Sequence, residues 1–202
     1  MVLFNILVRT CYRPTYFVNC INNILSQSHQ DIRIICCYDD IRSLDYIKKI
    51  NDKRFEYFFI NLEDNSEMKH NLYLNHLLDK VNDGWIIFLD DDDMFSTNDS
   101  LKIINNKIIN NNQFIYWGVK LGTNTIIYPP NINNVEVCKI SGIGFCFHAH
   151  YKNLSRWVSA RCSDFVFVKK LLESNKFETI GIKSILTQTQ HKYMGLLGKN
   201  ES

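Results

Sequence analysis

Apolar residues along the first hundred positions fall into short blocks that alternate between two spacings. Leu3 to Val8, Ile32 to Tyr38, Phe55 to Ile60 and Trp85 to Leu89 are runs rich in β-formers. Mainly apolar runs of this length predict strands, the first and fourth of them buried. Between them, apolar residues recur three or four apart: Phe17, Ile21, Ile24 and Leu25 after Pro14, then Tyr46, Ile47 and Ile50, then Leu74, Leu77, Leu78 and Val81 ahead of Gly84. That is the helical period, and proline suits the first turn of a helix. Asp99 or Ser100 is placed to cap a further helix from Leu101 to about Ile109. Strand alternating with helix predicts an α/β fold with a parallel, doubly wound sheet.

The rhythm then changes. Phe114-Ile115-Tyr116-Trp117 and Thr125-Ile126-Ile127-Tyr128 flank Gly122-Thr123-Asn124, a hairpin signal. A strand pair is expected between Val135 and Phe147, a helix over Ser163 to Glu173 and a closing strand over Ile182 to Thr187. Gln188 to Ser202 carries two glycines and no pattern, and reads as a mobile tail. No linker or internal repeat interrupts the chain, so residues 1–202 are expected to form one domain divided near residue 112.

Composition narrows the class. A formal net charge of +2 at pH 7 gives no basic field of the kind nucleic-acid binding needs. Seven cysteines are an odd number without a C-x-x-C pair, which suits a reducing, cytoplasmic setting, a host's if the AT-rich composition reflects a virus. The apolar start, Val2 to Val8, is short for a signal-peptide core, lacks a basic lead and is closed by Arg9. No apolar run approaches the length of a transmembrane segment.

Candidate chemistry sits at predicted strand ends. Arg9-Thr10 follows the first strand, Asp39-Asp40 the second, and Asp90-Asp91-Asp92-Asp93 the fourth. Ligands of open α/β sheets bind outside the carboxyl ends of the strands. Four adjacent carboxylates repel one another and are best tolerated beside a cation. Oxygen ligands suit Mg²⁺ or Mn²⁺, which bridge a few carboxylates to a substrate's phosphates. The competing reading, a solvated acidic turn capping the next helix, loses ground because the run directly follows a buried strand.

With these motifs in view, the chain resembles the family 2 type glycosyltransferases of the GT-A fold. Their opening Thr-Tyr-Asn-Arg-Pro after an apolar strand is echoed by Val8-Arg9-Thr10-Cys11-Tyr12-Arg13-Pro14, and the acidic pair ending their second strand by Tyr38-Asp39-Asp40. Their fourth strand, Gly-x-Tyr-Ile-x-Phe-Leu-Asp-x-Asp-Asp, is matched by Gly84-Trp85-Ile86-Ile87-Phe88-Leu89-Asp90-Asp91-Asp92-Asp93. The match covers about the first hundred residues well and the second half loosely. It implies a nucleotide-sugar-binding half over 1–112, an added β-hairpin region and an acceptor half over 113–187.

The resemblance also implies roles. Thr10 and Asp39 would contact the nucleoside, with Asp39 accepting from the base's imide N–H. Arg13 would lie near the diphosphate, and Asn75 would line the nucleotide pocket. Asp90 and Asp91 would face the donor, with Asp90 reaching the ribose or the metal. Asp92 would ligate Mn²⁺ or Mg²⁺, joined by His191 from the tail. The donor would be a nucleotide-diphosphate sugar, by family habit a UDP-sugar, and the acceptor a hydroxyl of a glycan, protein or lipid. Relatives carry their general base in a Glu-Asp pair. Here the stretch is Arg161-Cys162-Ser163-Asp164-Phe165, so only Asp164 remains, which is equally placed to serve in a helix's first turn. Plainer readings stand beside these: a cap for Thr10, a surface charge for Arg13, a polar face for Asn75, an exposed ring for His191.

His148 and His150 alternate along a predicted strand and share a face, which would suit an acceptor pocket or a metal pair. Tyr116, Trp117 and Trp157 are candidates for sugar stacking, with core packing as the default. A haloacid-dehalogenase-type phosphatase would need a second acidic pair, and after Asp99 the only acidic residues are Glu136, Asp164, Glu173, Glu178 and Glu201. Nucleotidylyltransferases need a glycine-rich loop that residues 9–14 lack. A member that binds nucleotide sugar or glycan without turnover is the alternative from another class.

Overall fold

The computed structural model describes residues 2–63, 66, 68–122, 125–127, 136–137 and 139–190. The first half follows the predicted alternation: β1 (Phe4–Thr10), α1 (Pro14–Leu25), β2 (Ile32–Tyr38), α2 (Leu44–Ile47), β3 (Phe55–Phe59), α3 (His70–Asp79) and β4 (Trp85–Phe88). These strands pair in parallel in the order β3-β2-β1-β4. Alternate residues of β1 supply both layers. Phe4, Ile6 and Val8 pack with Phe17, Ile21 and Ile24 of α1, whereas Leu7 joins Leu74, Leu77 and Leu78 of α3. Burial on both faces is why β1, β2 and β4 read as mainly apolar runs, whereas the edge strand β3 leaves Tyr57 and Phe59 exposed.

The second half departs from a simple parallel array. A short strand β5 (Asp93–Phe95) and helix α4 (Ser100–Asn105) precede β6 (Gln113–Leu121), β7 (Thr125–Ile127), β8 (Phe145–His148), α5 (Ser163–Glu173) and β9 (Glu178–Thr189). β8 inserts antiparallel between β4 and β6, and β9 runs parallel to β6 while pairing antiparallel with β5. The β6–β7 hairpin and α5 stand where the sequence puts them.

Four expectations shift. α4 stops at Asn105 rather than near Ile109, which is 83% exposed and has no core to meet. The closing strand extends to Thr189, so Gln188 and Thr189 belong to β9 and the expected tail begins later; residues 191–202 lie outside the described residues. Of the strand pair expected between Val135 and Phe147, β8 is the one strand among the described residues: 136–137 and 139–144 are turn and loop, and 135 and 138 lie outside. His148 pairs with Trp85 at the start of β4, about 17 Å of strand away from Asp90. There it faces Asp83 (3.4 Å) and accepts from the His150 N–H through Nδ1 (3.3 Å), so the pair cannot line a site at the carboxyl ends. Trp117 and Trp157 are core residues: Trp117 donates to Thr187 Oγ1 (2.9 Å) and Trp157 stacks on Phe167 at 4.8 Å. Tyr116 packs over Gly181. Among the described residues no helix is long and apolar enough to cross a membrane.

β4 is launched by Gly84, whose φ of +86° falls in the left-handed region. A Cβ there would lie 2.7 Å from the Leu3 carbonyl oxygen, a backbone atom that cannot swing aside. Gly84→Ala is therefore expected to cost roughly 2 kcal/mol or more and to lower the melting temperature by about 5 °C. Thermal denaturation followed by circular dichroism checks it; an unchanged melting temperature would show that the strand entry relaxes freely.

Candidate active site

β1, β2 and β4 are parallel, so their carboxyl ends open on the same edge of the sheet. The β4 backbone continues beside β1 past its last regular residue: Leu89 N–H donates to Leu7 O (3.0 Å) and Asp91 N–H to Arg9 O (3.3 Å). A turn closed by Asp93 N–H to Asp90 O (2.9 Å) then leads into β5. The four aspartates thus line the corner where β4 surfaces against the end of β1.

Each of the first three aspartates is oriented by an arginine from the β1 end. Arg9 grips Asp90 with both edges of its fork, Nε to Oδ1 at 2.6 Å and Nη2 to Oδ2 at 2.7 Å. Asp91, fully buried, accepts from Thr10 Oγ1 (2.6 Å) and from Arg13 Nε (3.1 Å), and its second oxygen pairs with Arg13 Nη2. Arg13 also reaches Asp92 at 3.4 Å. The intervening Tyr12 adopts φ +46° and lies under the Arg42 guanidinium, 4.1 Å from ring centroid, an uncommon backbone state for a bulky residue. Thr10 additionally meets Tyr46 Oη at 2.9 Å, which ties α2 to the corner.

Four carboxylates meet two guanidinium groups, so the formal charge of the cluster is −4 + 2 = −2. Asp93 is 6% exposed, and its carboxylate pairs with no cation among the described residues. Burial, followed by the neighbouring carboxylates, holds it well above the usual carboxylate range. Burial likewise pushes Asp91 up to about 7 despite Arg13. Asp90, Asp92 and Asp93 each bring an oxygen to within 4.8 Å of the others. Hard, anionic oxygens converging with net negative charge are the donor set a divalent cation such as Mg²⁺ or Mn²⁺ takes. The residues therefore fit the implied metal.

Asp39 follows β2 and is held by Tyr73 Oη on α3 (2.9 Å to Oδ2), while its Oδ1 is buried without a hydrogen-bond partner. Together with burial, this carboxylate pushes the nearby Cys11 thiol up to about 12. Asn75 has both ends of its amide engaged by Trp157, donating to its carbonyl (3.0 Å) and accepting from its N–H (2.9 Å). It works as a clasp between α3 and the segment before α5.

Asp164 occupies the first turn of α5, which starts from Cys162 at φ +55°. Its Oδ1 accepts from the Phe165 N–H (2.8 Å), and Gly142 packs beside it, so that a Cβ added there would lie 3.9 Å from the Asp164 Cβ. Because Ile87 pairs with Cys146, the turn carrying Gly142 lies beside the carboxyl end of β4. Desolvation raises the Asp164 pKa, and backbone N–H groups of Phe165 and Gly142 only partly offset this. The expected partner acid is Ser163, whose Oγ is spent accepting from Val158 N–H (3.0 Å).

The structure gathers Thr10, Arg13, Asp90, Asp91 and Asp92 into one corner, with Asp39 at the neighbouring strand end and Asp164 on α5; His191 lies outside the described residues. Sequence reasoning placed Arg9 and Asp93 in the strand-end clusters without giving either a role of its own, and missed Tyr73 and Gln190. Gln190 donates its side-chain amide to the Asp91 (2.9 Å), Asp93 (3.3 Å) and Tyr16 (3.0 Å) carbonyls, and its N–H to Asp92 O (2.8 Å). Arg9 and Asp93 carried a signal, a charge at a buried strand end; Tyr73 and Gln190 carried none.

Comparisons with known proteins agree with this geometry. No curated protein matches the chain in sequence. Among solved structures, S. aureus TarS 1-349 in complex with UDP-GlcNAc superposes with a TM-score of 0.73 at 14% identity, covering 98% of this chain and 61% of that one. The mannosyltransferase PcManGT from Pyrobaculum calidifontis, in complex with GDP-Man and Mn²⁺, gives 0.66 at 12%, covering 93% and 56%. The chain thus spans about three fifths of the length of these neighbours, whose likeness establishes the shared fold. The family model described as Glycosyl transferase family 2 matches residues 6–170, taking in every strand-end motif of the corner, and the chain belongs to that family.

Proposed function

We propose that the chain transfers a sugar from a nucleotide-diphosphate donor, a UDP-sugar by preference, to a hydroxyl acceptor with inversion at the anomeric carbon. The observation that carries this reading is the convergence of Asp90, Asp92 and Asp93 at the carboxyl end of β4 with two negative charges in excess. UDP-GlcNAc in the TarS complex and GDP-Man with Mn²⁺ in PcManGT support a nucleotide-sugar donor and a divalent ion. Asp92 and Asp93, with Asp90 at the rim, would hold the ion, which supplies charge to neutralise the diphosphate leaving group. Asp39 Oδ1, a buried acceptor without a donor, suits the imide N–H of a uracil ring. Thr10 and Arg13 fix Asp91 and Asp92 rather than reaching outward, so their part is to hold the corner's shape.

Asp164 acts as general base. The acceptor oxygen bonds to the anomeric carbon, its proton passes to the Asp164 carboxylate, and the bond from the anomeric carbon to the diphosphate oxygen breaks with its electron pair leaving on the phosphate. Desolvation at Asp164 raises its proton affinity, which improves a base as long as it is ionised at working pH.

Three measurements test this. In isothermal titration with UDP and Mn²⁺, Asp92→Asn is expected to abolish the metal-dependent part of UDP binding; undiminished affinity would refute the metal role. Asp164→Asn is expected to keep donor affinity and lower kcat by about 10²–10⁴-fold. Retained turnover would place the base elsewhere, whereas donor binding by the wild type without transfer or hydrolysis would favour a binding protein. Because the Asp164 pKa is raised, its base form is lost as pH falls through a value above the ordinary ~4. The acid limb of kcat/KM should therefore lie above the usual carboxylate range and disappear from the residual activity of Asp164→Asn.

A further inference from the structure

Arg9 carries more bonds than Asp90 can account for. Its Nη1 points away from the corner and donates to the His70 carbonyl (2.8 Å) and to Asn71 Oδ1 (3.2 Å) at the start of α3. Asn71 passes the contact on, since its Nδ2 donates to the Ala160 carbonyl (3.0 Å). Ala160 lies four residues before Asp164 on the segment that leads into α5. One turn further along α3, on the same helix face, Asn75 clasps Trp157 of that segment. Arg156 to Asp79 (2.7 Å), and Ser66 to Ser159, add further ties. Of these ties, the Asn71 one continues through hydrogen bonds to the acidic corner.

We propose that Arg9 and Asn71 form a positioning bridge that registers the Asp164-bearing segment against Asp90, and so sets the spacing between the donor corner and the general base. The inference rests on the reading of Asp90 as a donor-side ligand and Asp164 as the base. Neither bridge residue touches the reacting atoms. A guanidinium is the group that can serve here: its planar fork takes both Asp90 oxygens on one edge and still presents donors along the other. Arg9 donates both ways, to Asp90 and to Asn71, and the asparagine then turns acceptor into donor across one amide to reach the Ala160 carbonyl. Catalytic steps that need two groups at fixed separation are sensitive to shifts near 1 Å, which an unbridged loop would allow.

The bridge is tested by hydrogen–deuterium exchange on the full chain, with and without UDP and Mn²⁺, alongside kinetics with a UDP-sugar. Asn71→Ala should speed exchange over residues 158–164 by about tenfold, the effect of losing the hydrogen bond to the Ala160 carbonyl, and Arg9→Met should do the same although it never contacts that segment. UDP with Mn²⁺ should slow exchange of the segment in the wild type and leave it unchanged in Asn71→Ala. Asn71→Asp, which keeps the acceptor for Arg9 but deletes the donor to Ala160, should behave like Asn71→Ala. In both Asn71 variants kcat should fall about tenfold while donor KM stays within about threefold.

Unchanged exchange over 158–164 in a folded Arg9→Met, or wild-type kcat in Asn71→Ala despite a loosened segment, would reduce Asn71 to a local staple and overturn the proposal. A proportional loss of donor affinity would do so as well. A wild type that neither binds UDP nor turns over a donor would sink the transferase reading, while exchange in the ligand-free variants would still decide whether the bridge transmits.

Discussion

Two arginines facing four aspartates is the constraint around which this end of the molecule is arranged. Arg9 and Arg13 aim Asp90, Asp91 and Asp92 and cancel half of the cluster's charge. The other half stays in a poorly hydrated corner, where it is costly. Protons relieve part of it, as the raised affinities of Asp91 and Asp93 indicate, and a doubly charged cation matches it in full. A fold that only needed a turn after β4 would gain nothing from this arrangement, because a solvated acidic loop would avoid the desolvation altogether.

The scaffold explains how such a corner is kept. β1 is central, paired on both sides by parallel strands, and its apolar residues are divided between the two helical layers. The rigidity of that sandwich ends abruptly at Arg9-Thr10, so polar side chains emerge from a fixed base. α3 then contributes contacts that reach different parts of the site: Tyr73 to Asp39 from one face, and Asn71 to Arg9 and Ala160 with Asn75 to Trp157 from the other. The helix serves as a spacer between the carboxyl ends of β1 and β2 and the segment that opens α5.

Much of this was legible in the sequence because it is local. Apolar runs gave β1, β2, β3 and β4, and the 3.6-residue period with an early acidic residue gave α5 over Ser163–Glu173. The Gly84-to-Asp93 stretch marked the corner together with the polar ends of the first two strands, Arg9-Thr10 and Asp39-Asp40. What stayed hidden depends on pairing between distant residues. Nothing near Phe145 announces that β8 will slip antiparallel beside β4, and that insertion is what carries His148 to the wrong end for chemistry and brings the Gly142 turn to the right one. Asp93 reads as a member of an acidic loop, yet it opens a strand because Thr189 is there to pair with it. Asn75 reads as a pocket residue, and its amide is taken up by a backbone 82 positions away.

That last strand has a bearing on how the molecule comes together. β5, which carries Asp93, finds its partner in β9, and Gln190 fastens the carbonyls of Asp91, Asp92 and Asp93 from just beyond it. A polypeptide emerging amino end first has all four parallel strands once Phe88 is made, although Phe4 must still pair with Trp85 far along the chain. The acidic corner cannot take its final shape until nearly everything else has been made. Nascent or truncated chains ending short of β9 would own all the acidic residues of the site and still lack the frame that holds them together.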